Sequence, residues 1–389
     1  MPPRTTASRC TQTHTAFERQ QYDVKRVVAL LAMFGVWAFA GQASAQHREP
    51  PLPIDPDHVG PVGWPVWPVD AQHPIRGGFL DPRPTTDGVM FHNGVDISVR
   101  DDEPEPDHPW YRTHRVYALE GGTVEVASDV SRRACTGRLV RVGHFTYSHV
   151  DPVGTVEPGE VVQEGDVVGW TCKGNWHVHL TERVDTAEGQ VVVNPIRPGG
   201  RLRPYVDTAP PIVRSLEFRR PDAGLWLVIG EVVSSVNSAA RLDPSRLGGT
   251  VEIRTSMGDR QSFAGWFASR PYLDAELAPY EVRETLRRPN GAVMWKHVSF
   301  RSDFLRARGA PLAPRYAPGT LQNLPAQTCV AARRAAVCKG ENWFSLGGPD
   351  GAPAWDTRTV PNGPYELCVT ALDALGNAGS RCRAIRVAN

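Results

Sequence analysis

The chain has 389 residues, 41 % of them hydrophobic and 22 % charged, with a formal net charge of +1 at pH 7. That length buries a sizeable core and supports about two domains. The near-neutral charge removes the electrostatic case for a nucleic-acid partner or an anionic membrane surface.

At the start of the chain, Lys25 and Arg26 precede an apolar run from Val27 to Ala40, and Ala43 and Ala45 of "GQASAQ" stand at small-residue cleavage positions. This is the pattern of a secretory signal. Residues 1–45 are therefore expected to be a leader and signal peptide, cut after Ala45, that sends the chain to the periplasm or the extracellular envelope. The run falls short of the roughly 20 apolar residues of a comfortable span, so no stable membrane span is expected after cleavage; an uncleaved anchor is the minority reading. Cysteine usage agrees with export. Cys10 falls in the leader, and sequence proximity pairs Cys135 with Cys172, Cys329 with Cys338 and Cys368 with Cys382. The last two are symmetric about Leu375 in "DALGN", where a hairpin turn sets them opposite each other.

Residues 46–72 are dense in proline and are expected to form a linker, with Trp64 and Trp67 packing it onto the first domain. From 73 to 208, short runs rich in Val, Ile and Thr are separated by Gly, Pro and Asp, with almost no helical periodicity, which predicts an all-β, antiparallel domain. From 209 to 389, "LWLVIGEVVSSV", "GTVEIRTSM" and "YELCVTALDALGNAGSRCRAIRV" read as sandwich strands, with Tyr365, Leu367, Val369 and Ala371 pointing inward. That ending resembles the last hairpin of immunoglobulin-like accessory domains. Arg260 to Pro353 has no clean strand period and reads as insertions or long loops within an immunoglobulin-like β-sandwich.

The chemistry concentrates in the all-β domain. Residues two apart on a strand share a face, so "HNGVD" predicts His92, Gly94 and Asp96 on one side, with Gly94 leaving open space between the polar groups. The same rule places His177 with His179 in "HVHL", Val178 and Leu180 facing the core, and Tyr147 with His149 in "TYSHV". Two imidazoles, one carboxylate and a water make a four-coordinate zinc site with bonds of about 2.0 to 2.2 Å. The residual charge of such a site lowers the pKa of its water toward about 7 and polarises a carbonyl.

These residues resemble those of the lysostaphin and LytM type of zinc metallopeptidases, which carry the duplicated hybrid motif fold and cut peptide bonds in peptidoglycan. The resemblance covers about a third of the chain, from Pro74 to Pro198. It runs through "PIRGGF", "HNGVD", "RVYALEGGTVEVA", "VGTVEPGEVVQEGDVVGW" with Gly159, Gly165 and Gly169 at turns, "HVHLTERV" and "NPIRP". It implies one zinc ion held by His92, Asp96 and His179, with His149 and His177 as catalytic histidines that act on the water and on the tetrahedral intermediate. The sequence departs from the pattern in three places: a long segment "ISVRDDEPEPDHPWYRTH", a shortened "VGHFTYSHV", and a short "TCKGNW" loop. The acidic segment, with Asp101, Asp102, Glu103, Glu105 and Asp107, reads as a solvated loop at the rim of the groove, and His108 and His114 as surface residues.

The expectation is an exported, monomeric zinc metalloendopeptidase that hydrolyses peptidoglycan peptides. The alternative is a non-catalytic envelope protein that binds wall peptides or regulates an amidase. Regulators of that kind in this family have typically lost ligands, and all five positions are filled here.

Overall fold

The computed structural model describes residues 61–389 except 86–87, 100–103, 107–110, 129–137, 176, 188, 222–226, 230–231, 235–239, 263–275, 306–315, 318–319, 321–341 and 350–351. The expected leader and signal peptide, the start of the proline-rich stretch, most of the acidic loop with His108, and Cys10, Cys135, Cys329 and Cys338 lie outside the described residues.

The fold is all-β, and among the described residues every pairing between strands of a sheet is antiparallel. The first half contributes β1 (Ile75–Gly77), β2 (Pro82–Thr85), β3 (Gly88–Phe91), β4 (Val95–Ser98), β5 (Arg112–Tyr117), β6 (Gly122–Ser128) and β7 (Arg138–Val142). It continues with β8 (Phe145–Ser148), β9 (Val150–Asp151), β10 (Val161–Val162), β11 (Val167–Cys172), β12 (His177–Thr186) and β13 (Gly189–Val193). One sheet runs in the order β1, β4, β12, β8, β7, β6, β10, with β13 also on β12; β5, β11 and β9 make a second, and β2 pairs with β3. The large sheet is held by a core in which Val95, Ile97, Val140, Phe145, Tyr147, Val178 and Leu180 are fully buried.

The second half contributes β14 (Ile212–Val213), β15 (Glu217–Arg219), β16 (Leu227–Ile229), β17 (Val232–Ser234), β18 (Thr250–Gly258) and β19 (Glu281–Arg287). After these come β20 (Val293–Arg301), β21 (Asn342–Leu346), β22 (Trp355–Asp356), β23 (Gly363–Leu372) and β24 (Ala378–Val387). β18 gathers β14, β15, β21 and β22, while β20, β19, β23 and β24 form a four-stranded sheet. The two sheets meet through aromatic pairs, Phe300 with Phe344 at 5.4 Å and Trp295 with Trp355 at 5.9 Å between ring centroids. Tyr365, Leu367, Val369 and Ala371 point inward as the alternation predicts. Cys368 stands opposite Cys382 in the β23–β24 register, and the two form a disulfide. Cys172 is also disulfide-bonded.

Several expectations need correction. The stretch from Arg260 to Pro353 holds β19, β20 and β21 rather than loops alone. Its period was hidden because Glu281 and Glu284 are buried in β19 and the ladder to β20 shifts register at two places. Trp64 is buried and its indole N–H donates to the Pro204 carbonyl at 2.8 Å, but Trp67 is 64 % exposed and packs nothing down. Gly169 lies inside β11, not at a turn. A Cβ there would come within 2.8 Å of the Asp151 carbonyl oxygen, so its lack of a side chain lets β9 approach β11. Among the described residues no helix is long and apolar enough to cross a membrane.

Candidate metal centre

The centre begins on β12. His177 and His179 face outward while Val178 and Leu180 are fully buried on the other side, the alternation a pleated strand imposes. The β4 register then places Asp96 directly opposite His179.

His92 reaches the same place by another route. It precedes β4 instead of lying in it, so the shared face predicted from the strand period is not what brings it to Asp96. Pairing with the turn at Gly78–Asp81 does this. The His92 amide donates to the Asp81 carbonyl at 2.8 Å, the His92 carbonyl accepts from Leu80, and Nδ1 donates to the Gly78 carbonyl at 2.7 Å. Asp81 Oδ2 in turn accepts from the Gly78 amide at 2.6 Å. Gly94 also differs from expectation: it opens no space for an ion. A Cβ there would overlap the Leu180 carbonyl oxygen and stand 2.8 Å from His179 Nε2, so the glycine permits close approach of the His92 turn to β12.

His149 departs from the period as well. Its φ of 64° breaks the chain between β8 and β9. Tyr147, expected on the same face, goes into the core, where its hydroxyl accepts from the Leu119 amide at 2.7 Å. The His149 ring instead lies 4.8 Å from that of His177 and 6.3 Å from that of His179, centroid to centroid.

Three donor atoms converge: His92 Nε2 is 2.8 Å from His179 Nδ1 and 3.0 Å from Asp96 Oδ1, and His179 Nδ1 is 3.1 Å from that oxygen. Because a carbonyl only accepts, His92 Nδ1 carries its proton, and that bond turns Nε2 toward the Asp96 carboxylate. Such a concentration of lone pairs suits a cation. A tetrahedral ion with bonds of about 2.0 to 2.2 Å holds its ligand atoms about 3.4 Å apart, so these donors need to spread by only a few tenths of an ångström. The outer partners match those of metal-binding histidines: Gly78 for His92, and Thr181 Oγ1 at 3.0 Å from Nε2 for His179. Nitrogen and oxygen donors together fit zinc.

Burial pushes the Asp96 carboxyl up, but His92, His177 and His179 around it outweigh that and hold it well below the usual carboxylate value. His177 is lowered to about 3, chiefly by burial, with Asp96 opposing and Arg76 and His149 adding to the shift. Its Nδ1 donates to the Asn175 carbonyl at 2.5 Å, which aims Nε2 at Asp96, 3.7 Å away.

The five residues singled out in the sequence are thus neighbours, His92, Asp96 and His179 in direct contact and His149 and His177 beside them. Sequence reasoning missed Arg76 on β1, which donates to the same Asn175 carbonyl at 3.3 Å, and the supports Gly78, Asp81 and Thr181. Nothing in their spacing marks them. His114, expected at the surface, is buried on β5, its amide donating to Thr171 Oγ1 at 3.0 Å.

No family model matches the chain, and no curated protein matches it. Among solved structures, the chain is similar to Helicobacter pylori Csd3 in an orthorhombic crystal, with 17 % sequence identity and a TM-score of 0.24, over 38 % of this chain and 36 % of that one. The chain therefore covers well under two thirds of that protein's length.

Proposed function

We propose that the protein is an exported zinc metalloendopeptidase that hydrolyses peptide bonds in peptidoglycan, with residues 73–208 as the peptidase domain and 209–389 as a spacing and stabilising domain. The observation that carries this reading is the convergence of His92 Nε2, Asp96 Oδ1 and His179 Nδ1 within 3.1 Å, flanked by two further imidazoles. The lysostaphin-like motifs "HNGVD", "TYSH" and "HVHL" supply the substrate class.

His92, Asp96 and His179 would hold the ion. Zinc bound there supplies Lewis-acid polarisation of the scissile carbonyl and a water acidified toward neutrality. The protein's own part is set by its hydrogen bonds. Because Nδ1 of His177 is committed to Asn175, Nε2 is the atom free to take a proton as water attacks the carbonyl carbon and to return it to the leaving amine. His149, held beside it by the left-handed turn, donates to the oxygen on which negative charge develops. The bond broken is the peptide C–N, and the products are a carboxylate and an amine. Asp96 and the turn at Gly78–Asp81 keep the imidazoles oriented.

The test is incubation of residues 46–389 with purified peptidoglycan and mass spectrometry of the released fragments. Peptides with new amino termini, absent with His179→Ala or after chelation, are expected. Undigested peptidoglycan, or equal release by His179→Ala, contradicts the proposal.

A further inference from the structure

We propose that Asp207, Asp259 and Asp373 form a second cation site, one that takes a hard divalent ion of the calcium type through oxygen ligands alone. The three come from distant parts of the chain: Asp207 from the segment before β14, Asp259 from the residue after β18, and Asp373 from the turn between β23 and β24. All are buried, at 4 %, 4 % and 1 % exposure. One carboxylate oxygen from each lies within 4.8 Å of the others. Opposite ligands of a calcium ion, with bonds of about 2.3 to 2.6 Å, cover such a span, and backbone carbonyls or water complete a shell of about six to eight oxygens.

What points to a ligand is the hydrogen bonding that remains unmade. Asp207 Oδ1 accepts from the amides of Ala209 at 3.0 Å and Ser262 at 2.9 Å. Asp373 Oδ1 accepts from Leu375 at 2.9 Å and Asn377 at 2.8 Å, and its Oδ2 from the Asn377 side chain at 2.6 Å. Asp207 Oδ2 and Asp259 Oδ1 are buried with no hydrogen-bond partner among the described residues. Native proteins rarely leave such atoms unsatisfied, and a buried carboxylate without a counter-charge is costly. The charged groups acting on Asp259 are Asp207, Asp373 and Glu276, all acidic. Burial and these neighbours push its carboxyl well above the usual value, and Tyr205 is raised by burial and by the same three aspartates. A divalent cation relieves all of this at once. The group holds no imidazole or thiolate, so it selects calcium-like ions over zinc.

The position gives the ion a role. Ser262 brackets the site through Asp207, and the adjacent Gln261 side chain clasps β1, donating to the Ile75 carbonyl at 2.7 Å and accepting from its amide at 2.9 Å. β1 pairs with β4, which carries Asp96. An ion here therefore ties the Asp207 segment, the end of β18 and the β23–β24 turn to the sheet that bears the metal centre.

The experiment is thermal unfolding of the full chain, stripped with chelator and then given calcium chloride, magnesium chloride or neither. At about 100 times its dissociation constant, calcium is expected to raise Tm by about 5 °C, with a smaller rise for magnesium. Asp259→Asn is expected to lose the calcium response with no fall in Tm under chelator, and His179→Ala to keep the response, which separates this site from the zinc proposal. A calorimetric titration of the unsubstituted chain with calcium chloride needs no variant to fold. Absence of saturable calcium binding there, or an undiminished Tm rise in Asp259→Asn, overturns the proposal.

Discussion

Two buried polar clusters, both containing aspartate, differ in what surrounds the carboxylate. Asp96 faces three imidazoles, and the net effect holds its carboxyl low. Asp259 is driven high by burial and by the carboxylates of Asp207, Asp373 and Glu276. The first has two imidazole nitrogens within 3.1 Å of one oxygen; the second has carboxylate oxygens with no hydrogen-bond partner among the described residues. Burial alone, then, does not decide what a carboxylate does. The neighbours select between a borderline ion, a hard ion and a proton.

Substitutions can break this contrast, beginning with the first cluster. His179→Ala removes one of the three proposed ligands, and peptidoglycan hydrolysis is expected to fall by more than about a hundredfold with loss of retained zinc. The fold should persist, because Val178 and Leu180 keep the core side of β12 filled. Fragment release, metal content and circular dichroism check this together. A smaller effect is expected from Gly94→Ala. Its Cβ would strike the Leu180 carbonyl oxygen and crowd His179 Nε2, forcing the His92 turn off β12. A stability loss of about 3 kcal/mol in urea unfolding, together with weaker zinc binding, is expected; unchanged zinc affinity would show that the turn does not position His92.

The third prediction sharpens the comparison with a carboxyl that keeps its proton. Glu284 is buried on β19, accepts from Ser299 Oγ at 2.7 Å, lies 3.7 Å from His297 Nε2, and is pushed up to about 8 chiefly by burial. Between its ordinary value and about 8 the folded state holds a proton that the unfolded state has lost. Its contribution to stability is therefore full at low pH and declines as pH rises toward about 8. At about 1.4 kcal/mol per unit, the decline amounts to a few kcal/mol. Glu284→Gln should flatten it, which urea midpoints at pH 5 and pH 8 would measure. An unaltered pH slope would mean that Glu284 is ionised when folded.

Legibility in the sequence divides along the same physical lines. His177, His179 and the Cys368–Cys382 pair could be read because a strand or hairpin period fixes them locally. His92 in the centre and His149 beside it are brought there, but not for the reason the period suggests, since turns place them and no period-two rule describes a turn. β19 was obscured because its buried glutamates resemble surface residues in the pattern. The Asp207, Asp259 and Asp373 group could not be read at all, because only the tertiary fold brings such distant residues together. The same holds for Arg76 and Asp81, whose value lies in the carbonyl or amide they bind.

The most direct measurement of the zinc assignment is anomalous diffraction at the zinc edge from crystals grown with one equivalent of zinc. A single peak is expected between His92 Nε2, Asp96 Oδ1 and His179 Nδ1, with His149 and His177 outside bonding distance. A map with no peak there, or with the ion held by His149 and His177 instead, would contradict it.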